Sequence, residues 1–87
     1  MTKQSYSVKD DDGDIHWYKG SVRHREDGPA VEYADGSEVW LYNGVIHRTD
    51  GPAIMWKDGG RFWYLDGVQY NCMEWLLEVD KWEKNKS

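Results

Sequence analysis

The sequence predicts a mainly β protein, in which tandem antiparallel β-hairpin repeats form a single-layer meander sheet followed by one C-terminal amphipathic helix. Three observations predict it. A motif recurs at a 23-residue interval, seen in Asp12, Asp35 and Asp58. Each recurrence sets glycine-bearing turn dipeptides between runs of β-branched and aromatic residues. Beyond Tyr70 the apolar positions leave the alternation of a strand and take the i, i+3, i+4, i+7 spacing of a helix.

Residues 1–11 precede the repeat and read as an N-terminal segment. Residues 12–70 hold the repeats, in units starting at 12, 35 and 58. Without a gap, Gly13 aligns with Gly36 and Gly59, Trp17 with Trp40 and Trp63, and Val22 with Val45 and Val68. His24-Arg25 falls on His47-Arg48, and Asp27-Gly28-Pro29-Ala30 on Asp50-Gly51-Pro52-Ala53. The third unit breaks off after Tyr70.

Turn chemistry defines each unit. Asn43-Gly44 and Asp66-Gly67 suit type I′ hairpin turns, which need positive φ at both central residues, and Gly20-Ser21 suits type II′. Asp35-Gly36 and Asp58-Gly59 read as a further two-residue turn per unit. The Asp-Gly-Pro step is a third break, because proline lacks a donor and restricts the residue before it. Strands are expected near 15–19, 22–25, 30–33, 38–42, 45–48, 53–56, 61–65 and 68–70. With two-residue turns throughout, alternation puts Val31, Tyr33, Trp40, Tyr42, Val45 and His47 on one aromatic face, continued by Ile54, Trp56, Trp63, Leu65, Val68 and Tyr70. The opposite face carries Tyr18, Leu41, Ile46, Arg48, Met55, Phe62 and Tyr64, which are the candidate partner-binding residues.

Residues 71–87 form the helical segment and a tail. Asn71 and Glu74 match a capping box. Cys72, Trp75, Leu76, Val79 and Trp82 form the expected apolar stripe of a helix over 72–83, with fraying from Lys84. Trp75, Leu76, Val79 and Trp82 would dock this helix on the sheet or on a second copy of the chain. Cys72 reads as a buried start of the stripe; the alternative is a thiolate favoured at the first helical turn.

The 23-residue period, the Asn-Gly or Asp-Gly turn, the downstream His and the recurrent Asp-Gly before an aromatic together resemble the MORN repeat (membrane occupation and recognition nexus), over about residues 12–70. The His-Arg-x-Asp-Gly-Pro-Ala form resembles a variant seen chiefly in proteins of large tailed phages and giant viruses. Ordinary MORN units carry His-Gly-x-Gly where this chain has His24-Arg25-Glu26-Asp27-Gly28. The resemblance implies a one-dimensional stack of hairpins and roles in scaffolding, protein binding or dimerisation.

Composition narrows the function. The 87 residues include six Trp and six Tyr but one Cys, so no internal disulfide forms and a reducing, cytoplasmic setting is expected. A net charge of −5, spread along the chain, disfavours duplex nucleic acid and anionic lipid. No segment is apolar enough to span a membrane. Nothing marks a nucleophile elbow, a phosphate loop or a metalloprotease helix, so no enzyme activity, metal or cofactor is expected. Trp17, Trp40 and Trp63 read as a core ladder, with an aromatic groove as the alternative. His24 and His47 read as structural rather than zinc ligands, since no compact ligand spacing occurs. Arg25 and Arg48 read as loop-fixing ion pairs rather than an anion site. Both sheet faces carry apolar groups, and one short helix covers only one of them. The expected function is therefore a non-catalytic protein-interaction module, with a host protein as target if the chain is viral. Self-association to a homodimer is also expected. The alternatives are an aromatic-groove binder of a small ligand, nucleotide or single strand, and a homodimeric scaffold.

Overall fold

A computed structural model describes residues 6–86. Among the described residues ten strands precede one helix: β1 (Tyr6–Lys9), β2 (Ile15–Lys19), β3 (Val22–Arg23), β4 (Val31–Glu32), β5 (Glu38–Val39), β6 (Leu41–Tyr42), β7 (Val45–Ile46), β8 (Ile54–Met55), β9 (Arg61–Leu65), β10 (Val68–Tyr70) and α1 (Cys72–Lys86). All pairings are antiparallel. The larger sheet runs β1-β2-β4-β5-β8-β9-β10, with β3 also on β2, and β6-β7 form a separate hairpin. The mainly β architecture with one C-terminal helix is thus as the sequence predicts. Strand β1 lies outside the strands that the sequence predicts; it extends the sheet beyond the first repeat, pairing Val8 with His16 and Tyr6 with Tyr18. Among the described residues, no helix is long and apolar enough to cross a membrane.

The hairpin turns have the expected chemistry. Asn43 and Asp66 hold φ of 52° and 53°, and the glycines after them are also positive, as type I′ requires; at the first hairpin only Gly20 is positive, as in type II′. The Asp35-Gly36 turn differs. Only Gly36 is positive there, Gly36 N–H donates to Tyr33 O, and Tyr33 N–H donates to Ser37 O. This is a three-residue loop with a glycine bulge. It pairs Val31 with Val39, not with Trp40. The same geometry recurs at Gly59, where Ile54 pairs with Phe62.

One residue of register moves a whole strand to the other face. The single aromatic face is therefore corrected. Val31, Tyr33, Ile54 and Trp56 lie with Val39, whereas Trp40, Tyr42 and His47 occupy the other side. The row across the larger sheet reads Val8, His16, Val31, Val39, Ile54, Phe62.

Carboxylates fix these loops. Asp35 accepts Ser37 N–H at 2.8 Å, and the Ser37 backbone and hydroxyl hold its carboxyl below the ordinary value near 3.8. The hydrogen bond from His16 does the same at Asp10 against the opposing effect of burial, helped by the amides of Asp14 and Asp12. A depressed carboxyl stabilises the fold fully above its unfolded pKa, and that contribution is lost as pH falls through the lower folded value. The Asp10→Asn, Asp35→Asn double variant should lose less urea stability than wild type on acidification from pH 6 to pH 3; equal losses would contradict these bonds.

Two small cores result. Ala30, Val31, Val39 and Leu41 are buried with Trp17, Tyr33, Ile46 and Ile54 packed against them, so this core joins the larger sheet to the β6-β7 hairpin. Leu65, Trp75 and Val79 form the second, with Trp63 and Tyr70, and dock α1 on the last hairpin. The helix starts as the capping box predicts: Glu74 N–H donates to Asn71 Oδ1 at 2.8 Å, and Asn71 N–H to Glu74 Oε1 at 3.4 Å. The α1 backbone continues to Lys86, beyond the expected fraying point.

Candidate functional site

The repeated His-Arg-x-Asp-Gly-Pro-Ala run has one structural task per residue. His24 is almost fully buried, with 1% of it exposed. Its Nδ1 accepts Asn43 N–H, from the turn of the next hairpin, at 2.8 Å. His47 Nδ1 accepts Asp66 N–H at 2.9 Å in the same way. An Nδ1 that accepts leaves the ring proton of the neutral imidazole on Nε2; in His24 that nitrogen faces Glu26 at 3.7 Å. Main-chain bonds complete each joint: Gly44 N–H to Arg23 O and Arg25 N–H to Leu41 O, then Gly67 N–H to Ile46 O and Arg48 N–H to Tyr64 O. Each histidine thus stitches its hairpin to the next.

The arginines lie flat beneath the loop that follows them. Arg25 sits 4.2 Å from the Trp17 ring centroid and Arg48 3.8 Å from that of Trp40, within cation–π range. Arg25 Nε donates to Asp27, and its Nη1 to Pro29 O and to Glu32. Arg48 Nε donates to Asp50 at 2.7 Å and Nη1 to Pro52 O at 3.0 Å. The glycine is needed for space: a Cβ on Gly28 would lie 2.6 Å from Arg25 Cζ, and one on Gly51 3.0 Å from Arg48 Cζ. Proline adds no donor, and the following Ala30 and Ala53 are wholly buried, their carbonyls accepting the Trp17 and Trp40 amides at 2.7 Å. The expected local, loop-fixing roles of both arginines are what the geometry shows.

With those groups committed, a groove stays open between the second repeat and α1. Tyr42, His47 and Trp82 line both of its lobes, of about 260 and 310 Å³. Ring centroids step from His24 to Tyr42 at 4.6 Å, to His47 at 6.2 Å and to Trp82 at 4.8 Å, making a continuous aromatic row. Glu26 and Asp50 flank one lobe, Asp66 the other. Trp75 fixes the helix against this site by donating its indole N–H to Arg48 O at 3.1 Å.

The structure scatters the partner-binding residues expected from face parity. Leu41 is buried in the first core and offers no binding surface. Arg48 lies on the other side, against Trp40, and Met55 pairs with Glu38 and Arg61, off the row of Phe62. Tyr18, Ile46 and Tyr64 are half-buried, and Phe62 is exposed. On the helix, Trp75 and Val79 are buried and Trp82 partly so, but Leu76 points out with Met73 and Leu77. Cys72 is exposed, so the stripe begins at Trp75. The physical cause is rotation: seating Trp75 and Val79 centres the buried stripe on the 75, 79, 82 line and turns positions 73, 76 and 77 away.

Sequence reasoning missed the groove, since it needs Tyr42 and His47 beside Trp82, which lies 40 and 35 residues further along the chain. It also missed the cluster of Asp10, Asp14 and His16, whose donor atoms lie within 4.8 Å of one another. Those atoms are engaged in the turn: His16 Nε2 meets Asp10 Oδ2 at 3.0 Å, and Asp14 Oδ1 accepts Ala34 N–H at 2.8 Å. Compared with protein-family models, with curated proteins and with solved structures, the chain gives no match.

Proposed function

We propose that this chain is a non-catalytic protein-interaction module that engages its partner through the Tyr42–His47–Trp82 groove. One observation carries this: the repeated His and Arg side chains hold the repeat's own turns and loops, and Tyr42 stays exposed on the groove beside them. His24 and His47 hold backbone amides, and Arg25 and Arg48 hold loops, so the groups that acid–base or anion chemistry would need are engaged elsewhere. The likeness to the MORN repeat supports a binding role. A viral accessory role against a host protein rests on the His-Arg-x-Asp-Gly-Pro-Ala form alone. A second reading, self-association to a homodimer, is favoured by the exposed Met73, Leu76 and Leu77 on α1.

Site-directed photo-crosslinking tests the groove. A benzoylphenylalanine at position 42 should give a protein adduct in extract of the source cells, and one at Met55 should not. Adducts of equal yield at both positions, or none at 42, would refute the groove as the binding site. An adduct at 77 of twice the chain's own mass would identify the homodimer.

A further inference from the structure

We infer that the groove takes a lysine- or arginine-bearing segment of its protein partner, an inference that rests on the interaction reading above. The first ground is the charge that solvent sees. The two arginines that line one lobe keep only 19% and 17% of their side chains exposed, whereas Glu26 keeps 70%. Arg25 is countered by both Asp27 and Glu32, and Arg48 by Asp50. Glu26 and the exposed Asp66 add negative charge at the two lobes. An anionic ligand would find both guanidinium groups of that lobe already paired with carboxylates.

The second ground is the floor. Tyr42 leaves 42% of its surface exposed between the rings of His24 and His47. An aromatic face beside a carboxylate is a receptor for an ammonium or guanidinium group. The third is size. Lobes of about 260 and 310 Å³ lie at or below the lower end of the roughly 300–1,000 Å³ typical of small-molecule sites. They suit single side chains of an extended segment better than a nucleotide or cofactor.

The probe is a random heptapeptide library selected on the full-length protein, followed by titration of one selected peptide in rising NaCl. Selected peptides should carry Lys or Arg at a recurrent position. The Glu26→Lys and Asp66→Asn variants, checked for folding by circular dichroism, should each weaken the selected peptide by about twofold to fivefold. Phe62→Ala, on the other face, should leave it unchanged. Binding should weaken with salt, since the rim charges are exposed. Free lysine amide should fail at concentrations where the peptide saturates, which separates a protein segment from a small amine. Peptides selected without enrichment in basic residues would overturn the cationic specificity while leaving the interaction reading in place. Failure to select any peptide overturns the specificity; if the position-42 crosslink fails as well, the interaction reading falls with it.

Discussion

Trp75→Ala is expected to lower the unfolding free energy by about 3–5 kcal/mol, the usual cost of deleting a buried tryptophan side chain. Trp75 is buried in the second core with Leu65 and Val79, and its N–H ties α1 to Arg48 O. Small domains hold about 5–15 kcal/mol in total, so this variant should sit close to its unfolding threshold. Leu76→Ala, one residue along, should change stability by no more than about 0.5 kcal/mol, as expected of an exposed position. Urea denaturation of the pair checks this. Similar losses for both would mean that the helix docks through a different face.

His24→Ala should cost about 2–4 kcal/mol, from the cavity it leaves and from the orphaned Asn43 amide. The loss is larger than a histidine usually gives because the ring is buried and accepts the Asn43 amide of the next hairpin's turn. His47→Ala should cost less, since His47 is only half-buried, although it supports Asp66 and stacks near Trp82. Urea unfolding midpoints would measure both. A His24 loss equal to or below that of His47 would contradict the burial argument.

Much of this fold is legible in the sequence. The period shows where units begin, and Asn43-Gly44 and Asp66-Gly67 declare their turns because few other dipeptides tolerate two positive φ values. Asp35-Gly36 misleads for a physical reason. Asp-Gly serves both a two-residue turn, in which the Asp is left-handed as Asp66 is, and a three-residue loop, in which it is not. The letters are the same, and the register that follows differs by one residue. Strand β1 lay outside the repeat, although Tyr6 and Val8 alternate ahead of the Asp10–Asp14 turn. Tyr6 is held by its OH on Gly20 O at 2.6 Å and by stacking on Tyr18, both long-range contacts. The groove was illegible for the same reason: spacing within α1 permits either Leu76 or Trp82 to face the sheet, and only the seating of Trp75 between Leu65 and Arg48 decides it.

The repeated histidine ring completes the hydrogen bonding between successive hairpins, His24 at Asn43 and His47 at Asp66. Amide hydrogen exchange by NMR reads this directly at Asn43 and Asp66. Both amides lie in exposed turn positions, yet both donate to a ring nitrogen. They should exchange far more slowly than the Ser21 amide in the turn of the first hairpin, and Asn43 alone should lose its protection in His24→Ala under conditions where that variant stays folded. Rapid exchange at Asn43 in the wild-type protein, or protection that survives His24→Ala, would contradict the account.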